Sequence, residues 1–240
     1  MENAKTVIVT GASQGIGAAI VRAFLDRSYN VVATSRSISK STLVPSPSLV
    51  LVDGDIGTPA TAALVKEAAL SKFGTIDHLI NNAGIYAAKP FTDYSADDLQ
   101  GFISTNLNGF VFMTQTTVKQ MVAQGTGGSV TTITAALADN PISGAPSSVP
   151  MITKGGLNAI TLSLAIEYAK KHIRFNAVAP GVVETPMHEN NPKDFLKTLS
   201  PMGTISGTND VADAVVFLTE ARYVTGEVLH VDGGAHVGRW

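Results

Sequence analysis

The sequence predicts one α/β domain, residues 1–240, built on a doubly wound parallel sheet. Short apolar runs rich in β-branched residues, of which residues 7–9 are the first, are typical of strands buried on both faces. Stretches with apolar residues at helical spacing, such as AAIVRAFLDR, alternate with them. The length of 240 residues and the 45% hydrophobic content suit one such domain better than two small ones.

Composition excludes several classes of function. The net charge of -2 gives no basic excess, so we expect neither nucleic acid nor a membrane as a partner. Cysteine is absent, which excludes disulfides, a thiolate nucleophile and a cysteine-ligated metal, and we expect no metal. The first predicted strand begins too early to leave room for a signal peptide, and no apolar run is predicted to span a bilayer. We therefore expect a cytoplasmic protein.

A glycine cluster follows the first predicted strand. Gly11, Gly15 and Gly17 form the pattern GxxxGxG just before the first predicted helix. Glycine allows positive φ and a close approach of backbone to ligand, and the first turn of a helix offers free N–H groups to an anion. The pattern predicts a phosphate site, although glycines also cluster in ordinary turns.

The alternation of strands and helices continues along the chain. Thr58 is predicted to cap a helix that has Pro59 as its first residue. Residues 37–48 hold two prolines and little helical periodicity and are predicted as a loop. The polar segment 184–208, with three prolines, is predicted as a mobile lid. Further strands are predicted at residues 30–34, 49–52, 76–80 and 129–133, and helices at residues 59–73 and 95–121.

Two motifs in register identify a family resemblance. TGASQGIG, residues 10–17, resembles the cofactor loop of the short-chain dehydrogenase/reductase family, and NNAG, residues 81–84, matches a second motif of that family. FNAVAPGVVETPM and YVTGEVLHVDGGAHVGRW extend the resemblance over essentially the whole chain. The resemblance implies a Rossmann-type fold, a nicotinamide cofactor and a homodimer or homotetramer formed through the long helices.

The resemblance also implies a set of cofactor-binding residues. Asp55 and Ile56 match the pair that contacts adenine, and an amide bonded at Val183 would fix which face of the nicotinamide delivers hydride. The implied set is Gly11, Ser13, Gln14, Gly15, Ile16, Gly17, Ser35, Arg36, Asp55, Ile56, Asn82, Ala83, Gly84, Lys154, Pro180, Gly181, Val183 and Thr185.

The residues at the end of the second predicted strand favour NADP(H) over NAD(H). An acidic residue here would bond the free ribose hydroxyls of NAD, whereas Ser35 followed by Arg36 leaves room and positive charge for an additional phosphate. An exposed arginine in an ordinary loop is the alternative interpretation.

The catalytic set departs from the family pattern. Asn106 and Lys154 match the family residues, but counting back four positions from Lys154 gives Pro150 where the family has its proton-donating Tyr. Ala135, with Thr134 beside it, occupies the position of the Ser that bonds the substrate carbonyl. Since a positioned general acid contributes about 10²- to 10⁴-fold in rate, reduction of a simple ketone should be impaired.

Other groups near the predicted site are candidates for the missing function. Lys154 could bind the cofactor ribose, which we favour, or act as a proton donor if burial lowers its pKa. Ordinary capping or loop roles are the competing interpretation for the candidate substitutes, which are Thr134, Ser147, Ser148, Tyr86 and His188.

The sequence thus predicts an NADP(H)-dependent oxidoreductase that acts on a small molecule and has a non-standard route for the proton. Hydride transfer to an iminium carbon or to an activated alkene needs no acid beside a carbonyl oxygen. Two alternatives remain open. The chain could bind the nucleotide without redox chemistry, as a sensor, partner subunit or scaffold, or it could retain the cofactor while catalysing an elimination, cyclisation or isomerisation.

Overall fold

A computed structural model describes residues 4–238 and confirms the doubly wound parallel sheet. Seven parallel strands run in the order β3-β2-β1-β4-β5-β6-β7. The order reverses between β1 and β4, which makes their carboxyl ends the topological switch point where such sheets bind ligands. The strands are β1 (Thr6–Thr10), β2 (Asn30–Ser35), β3 (Leu49–Asp53), β4 (His78–Asn81), β5 (Gly128–Ile133), β6 (Ile173–Pro180) and β7 (Val228–Val231).

Helices cover both faces of the sheet. Val7 and Val9 of β1 pack in one core layer with the first and last long helices, whereas Ile8 points into the opposite layer. This alternation follows from the two-residue period of a strand and makes all five residues of β1 buried. The helices are α1 (Gly15–Leu25), α2 (Pro59–Phe73), α3 (Ala96–Phe102), α4 (Gly109–Gln124), α5 (Ser148–Tyr168), α6 (Lys193–Lys197) and α7 (Thr208–Glu220).

The long helix predicted at residues 95–121 is interrupted. A π-helical turn, Ile103–Asn108, separates α3 from α4, and α4 continues to Gln124. Such turns carry one residue more per turn than an α-helix and occur mostly at functional sites. Residues 37–48 contain only a 3₁₀ turn at Ile38–Lys40, so the predicted absence of an α-helix there is confirmed.

The predicted cap at Thr58 is wrong, and so is the capping interpretation of Ser147 and Ser148. Thr58 stands at the N-cap position of α2, but its hydroxyl donates to the Asp55 carbonyl oxygen at 2.8 Å and caps no N–H. Ser147 stands at the N-cap position of α5, and its hydroxyl donates to the Ala145 carbonyl at 3.1 Å. Ser148 is the first residue of that helix and caps nothing either.

Helix α5 also corrects the expectation that no apolar run could span a bilayer. The segment Ser148–Lys171 is long and apolar enough to do so by length and composition alone. In the structure one face of α5 packs against β6, with Leu157 and Ala165 in the core, as in a core helix of a globular domain.

A matched pair of glycine substitutions tests the packing of α1 against β1. Because a Cβ at Gly17 would collide with the carbonyl oxygen of Gly11, we expect Gly17→Ala to lower the free energy of unfolding by about 1–3 kcal/mol. At Gly101 of α3 a Cβ meets only the Ile85 side chain at 3.5 Å. Gly101→Ala should therefore raise the free energy of unfolding by about 0.5–1 kcal/mol, because alanine loses less conformational entropy than glycine when the helix forms. Urea unfolding measures both, and an unaltered stability for Gly17→Ala would contradict the close approach.

Candidate active site

One cleft runs across the carboxyl ends of the strands at the switch point. Its volume is about 1110 Å³, and it extends from the end of β2 across β1 and β4 to the ends of β5 and β6. Every residue of the implied cofactor set lines this cleft, as do Thr134 and the candidate donors Tyr86 and His188. The implied cofactor residues therefore belong to one continuous site.

The glycine turn shapes the middle of the cleft. Gly11 and Gly15 have φ of +63° and +55°, in the region that favours glycine. A Cβ at Gly11 would lie 2.6 Å from the Cα of Ala83, so a side chain here would fill the gap between the β1 turn and the end of β4. No side chain caps the N-terminus of α1, where Gln14 is the N-cap residue. The free N–H groups of this first turn fit an anionic group.

Asn82 joins this turn to β4. Its Nδ2 donates to the carbonyl oxygens of Thr10 and Gly11 at 2.9 and 3.1 Å. The Thr10 hydroxyl accepts from the backbone N–H groups of Asn82 and Ala83, each at 3.0 Å. The neighbouring Asn81 instead donates to the Thr114 hydroxyl of α4 at 2.9 Å. Asn82 thus links the ends of two adjacent strands, whereas Asn81 contacts a helix.

The end of the cleft next to β2 is basic. Arg36 follows β2 directly and is exposed at the cleft edge, next to Ser35. A recess of about 470 Å³ continues from the glycine turn beside it and is lined by Arg22 and Lys40. Neither residue is in the set implied by the sequence. Two signals could have found them: Arg22 lies two helical turns after Gly15, and Lys40 lies in the loop that follows Arg36.

Asp55 and Ile56 form the opposite wall of this end. The Asp55 carboxylate accepts from the Gly57 N–H at 2.9 Å, which fixes the turn after β3. Ile56 is buried and packs against Gly109, where a Cβ would collide with its side chain. The turn therefore presents a fixed surface to the cleft.

The π-helical turn places Asn106 behind the cleft wall. Asn106 is buried, and its Oδ1 accepts from the Ile85 N–H at 2.9 Å. Its Nδ2 donates to the Ile85 carbonyl at 3.2 Å and to the Thr153 hydroxyl of α5 at 3.0 Å. Asn106 is not among the lining residues, so the structure gives it a positioning role that connects three segments.

Lys154 lies at the centre of the cleft. Its Nζ donates to the Ile133 carbonyl at 2.8 Å, and a Cβ at Gly84 would lie 3.2 Å from it. The side chain is partly open to the cleft, but the ammonium group is enclosed. Its desolvation lowers the pKa of Lys154 to about 8.

The positions of the family's Ser and Tyr hold Ala135 and Pro150, which have no hydroxyl. Pro150 is the third residue of α5, is buried and lines the cleft one helical turn before Lys154. Ala135 lines the cleft just after β5. The adjacent Thr134 is buried, and its hydroxyl donates to the Val178 carbonyl at 3.3 Å, so its proton is already engaged.

The remaining candidate donors differ in position. Tyr86 lines the cleft and is half-buried, whereas His188 is at the rim with its Nδ1 3.3 Å from the Asn191 Oδ1. Ser147 and Ser148 are not among the lining residues. Tyr86 is therefore the candidate phenol of this site.

Comparisons with known proteins agree with this geometry. A family model described as enoyl-(acyl carrier protein) reductase matches residues 11–236. An L-rhamnose 1-dehydrogenase (NAD(P)(+)) from Sphingomonas sp. (strain SKA58) is 33% identical over 247 residues, which cover 97% of this chain and 96% of that protein.

Solved structures show the same fold with nicotinamide nucleotides. A 3-ketoacyl-(acyl-carrier-protein) reductase from Brucella melitensis complexed with NADH has a TM-score of 0.90 at 29% identity, covering 98% of this chain and 99% of that one. ElxO with NADP bound has a TM-score of 0.88 at 29% identity, covering 97% and 98%. With the glycine turn, NNAG and Lys154 in their places, the chain belongs to the short-chain dehydrogenase/reductase family of NAD(P)-binding oxidoreductases.

Proposed function

We propose that the protein is an NADP(H)-dependent oxidoreductase with a small-molecule substrate and without the usual Ser and Tyr. One observation carries the proposal: the implied cofactor residues line a single cleft that leads to Lys154, while Ala135 and Pro150 replace the hydroxyls. In this cleft the N-terminus of α1 would hold the phosphates, and Asp55 with Ile56 the adenine. Lys154 would bind the ribose hydroxyls.

The missing hydroxyls restrict the chemistry. A bound reduced nicotinamide would supply a hydride to an electron-poor carbon. An iminium would become a neutral amine without taking up a proton, whereas the enolate formed from an activated alkene would take its proton from water. The alkoxide formed from a ketone is a stronger base than the enolate formed from an activated alkene. Ketone reduction therefore depends more on a positioned acid. With Pro150 unable to donate a proton, we favour the imine and enone classes over simple ketones.

A non-redox role is the second candidate, and the same replacements favour it. A nucleotide sensor or partner subunit needs the cofactor cleft but no proton donor, and a lyase or isomerase would use the cleft differently. NADPH oxidation with a panel of ketones, imines and enones separates these roles from the proposed one. Binding of NADPH without turnover of any class would favour the sensor.

The basic adenosine end predicts a preference for NADPH. We expect Arg36→Asp to weaken NADPH binding about tenfold or more while NADH binding is unaltered or improved, since a hydrogen bond to a charged group contributes about 1.5–3 kcal/mol. Fluorescence titration of both nucleotides measures this. Arg222→Asp makes the same charge change at an exposed position outside the cleft and should leave both affinities unaltered. Equal losses for NADPH and NADH in Arg36→Asp would contradict a phosphate-binding role.

Restoring the phenol tests the catalytic departure. We expect Ala135→Ser/Pro150→Tyr to gain ketone reduction, up to about 10²-fold, because the phenol is placed one helical turn from Lys154. Ala135→Ser/Pro150→Phe has the same ring without the hydroxyl and should show no gain. NADPH oxidation with a simple ketone measures both. Equal rates in the two proteins would show that another group already donates the proton.

We also propose a homodimer or homotetramer formed through α5. Ile152, Leu162 and Ile166 are exposed apolar residues of this helix, and a Cβ at Gly155 or Gly156 would meet no atom within 4 Å. Exposed apolar surface beside small residues allows a second helix to approach closely.

A substitution on this helix tests the assembly. Ile166 is 81% exposed, and we expect Ile166→Asp to convert the oligomer to monomer because an interface would bury the added charge. Val44→Asp, at a residue 77% exposed in the open loop, is the matched control. Light scattering after size exclusion measures the mass. A wild-type monomer would contradict the proposal.

A further inference from the structure

We propose that the substrate is an apolar molecule with one carbonyl-type oxygen, and that the Tyr86 phenol donates a hydrogen bond to this oxygen. The proposal rests on the proposed oxidoreductase function and specifies its substrate class. It concerns the substrate half of the cleft, which we define as the lining residues within 85–88, 135–151 and 187–199.

The walls of the substrate half are apolar on three sides. Ile85 and Ala87 come from the segment after β4, and Leu137 and Ile142 from the segment after β5. The segment after β6, predicted as a lid, contributes Met187 and Phe195, both about half exposed. Among the described lining residues of this half, no side chain is an acid, a lysine or an arginine. Burial of apolar substrate surface would thus supply the binding free energy.

The two family replacements increase this apolar character. Ala135 and Pro150 place methyl and ring carbons where the resemblance implies hydroxyls, and Met151 follows on the same helix. The polar side chains that line this half are Tyr86, Asn140, His188 and Asn191. His188 and Asn191 face each other at 3.3 Å on the exposed lid, so they contribute to its rim.

The backbone next to Tyr86 is held in place by Asn106. The adjacent residue Ile85 is bonded through both its N–H and its carbonyl to Asn106, which also bonds Thr153 of α5. The phenol is half-buried in the cleft wall. Burial raises the pKa of Tyr86, and the facing Ser147 hydroxyl opposes this shift without cancelling it. The phenol therefore stays protonated at neutral pH and can donate a hydrogen bond to an oxygen acceptor.

A sugar fits this half poorly. Each substrate hydroxyl that is buried without a partner loses its hydrogen bonds to water, and few polar groups are available here to replace them. We therefore expect L-rhamnose, the sugar named for one relative, not to be a substrate here. An apolar enone needs one donor for its oxygen and otherwise apolar contact, which matches the walls described above.

A substrate panel with the full-length protein tests the proposal. The probes are NADPH with 2-cyclohexenone and with a larger apolar cyclic enone, and NADP⁺ with L-rhamnose. We expect reduction of the enones, with kcat/KM at least about tenfold higher for the larger one because added apolar groups become buried, and no oxidation of L-rhamnose. Product analysis identifies which bond is reduced.

Two matched pairs of variants test the residues. Tyr86→Phe should lower kcat/KM for the enone roughly tenfold and leave NADPH affinity unaltered, whereas Tyr223→Phe, at a fully exposed tyrosine, should change neither. Met151→Gln should raise KM for the larger enone roughly tenfold by placing an amide in the apolar wall. Met202→Gln should leave this KM unaltered, because Met202 is 72% exposed and does not line the cleft.

The outcomes distinguish failure of the oxidoreductase function from failure of the substrate inference. No NADPH binding would overturn the proposed function itself. NADPH binding with oxidation of L-rhamnose, or with Tyr86→Phe indistinguishable from the wild type on the enone, would overturn the substrate inference and leave the oxidoreductase function standing. NADPH binding with no turnover of any probe would overturn the inference and favour the non-redox role.

Discussion

The close contact between the β1 turn and the end of β4 is the constraint on which the site depends. Asn82 bonds two carbonyl oxygens of this turn, and Gly11 and Gly17 leave no space for a Cβ. The contact brings two parallel strands together where the strand order reverses, and the cleft exists because the helices diverge from that point. The glycine turn and the NNAG motif are therefore in direct contact and form one structural unit.

Much of this arrangement was predictable because it depends on local chemistry. A buried strand, a glycine turn and an amphipathic helix are each encoded within a few residues, and the strand boundaries differ from the predicted ones by two residues at most. The implied cofactor residues come from separate segments, and parallel strand ends meet at one edge of the sheet. The strand order and the pairing register of the sheet therefore bring the implied cofactor residues together.

The remainder depended on tertiary contacts. The periodicity of residues 95–121 is compatible with a continuous helix, and it does not show the π-helical turn at which Asn106 bonds Ile85 and Thr153. Thr58 and Ser147 stand at cap positions, but nearby carbonyl oxygens take their protons. Nor could the sequence rank Tyr86 above Ser147 and Ser148, because the distinction lies in which residues line the cleft.

The π-helical turn also sets how this segment can change over evolutionary time. A substitution within Ile103–Asn108 alters one contact, whereas deleting the additional residue would rotate α3 relative to α4 by roughly 100° about the helix axis. That rotation would move Asn106 away from Ile85 and from α5 at once. A side-chain replacement around the pocket therefore alters one contact, whereas a change in the length of this helix between Ser95 and Gln124 would displace three connected segments together.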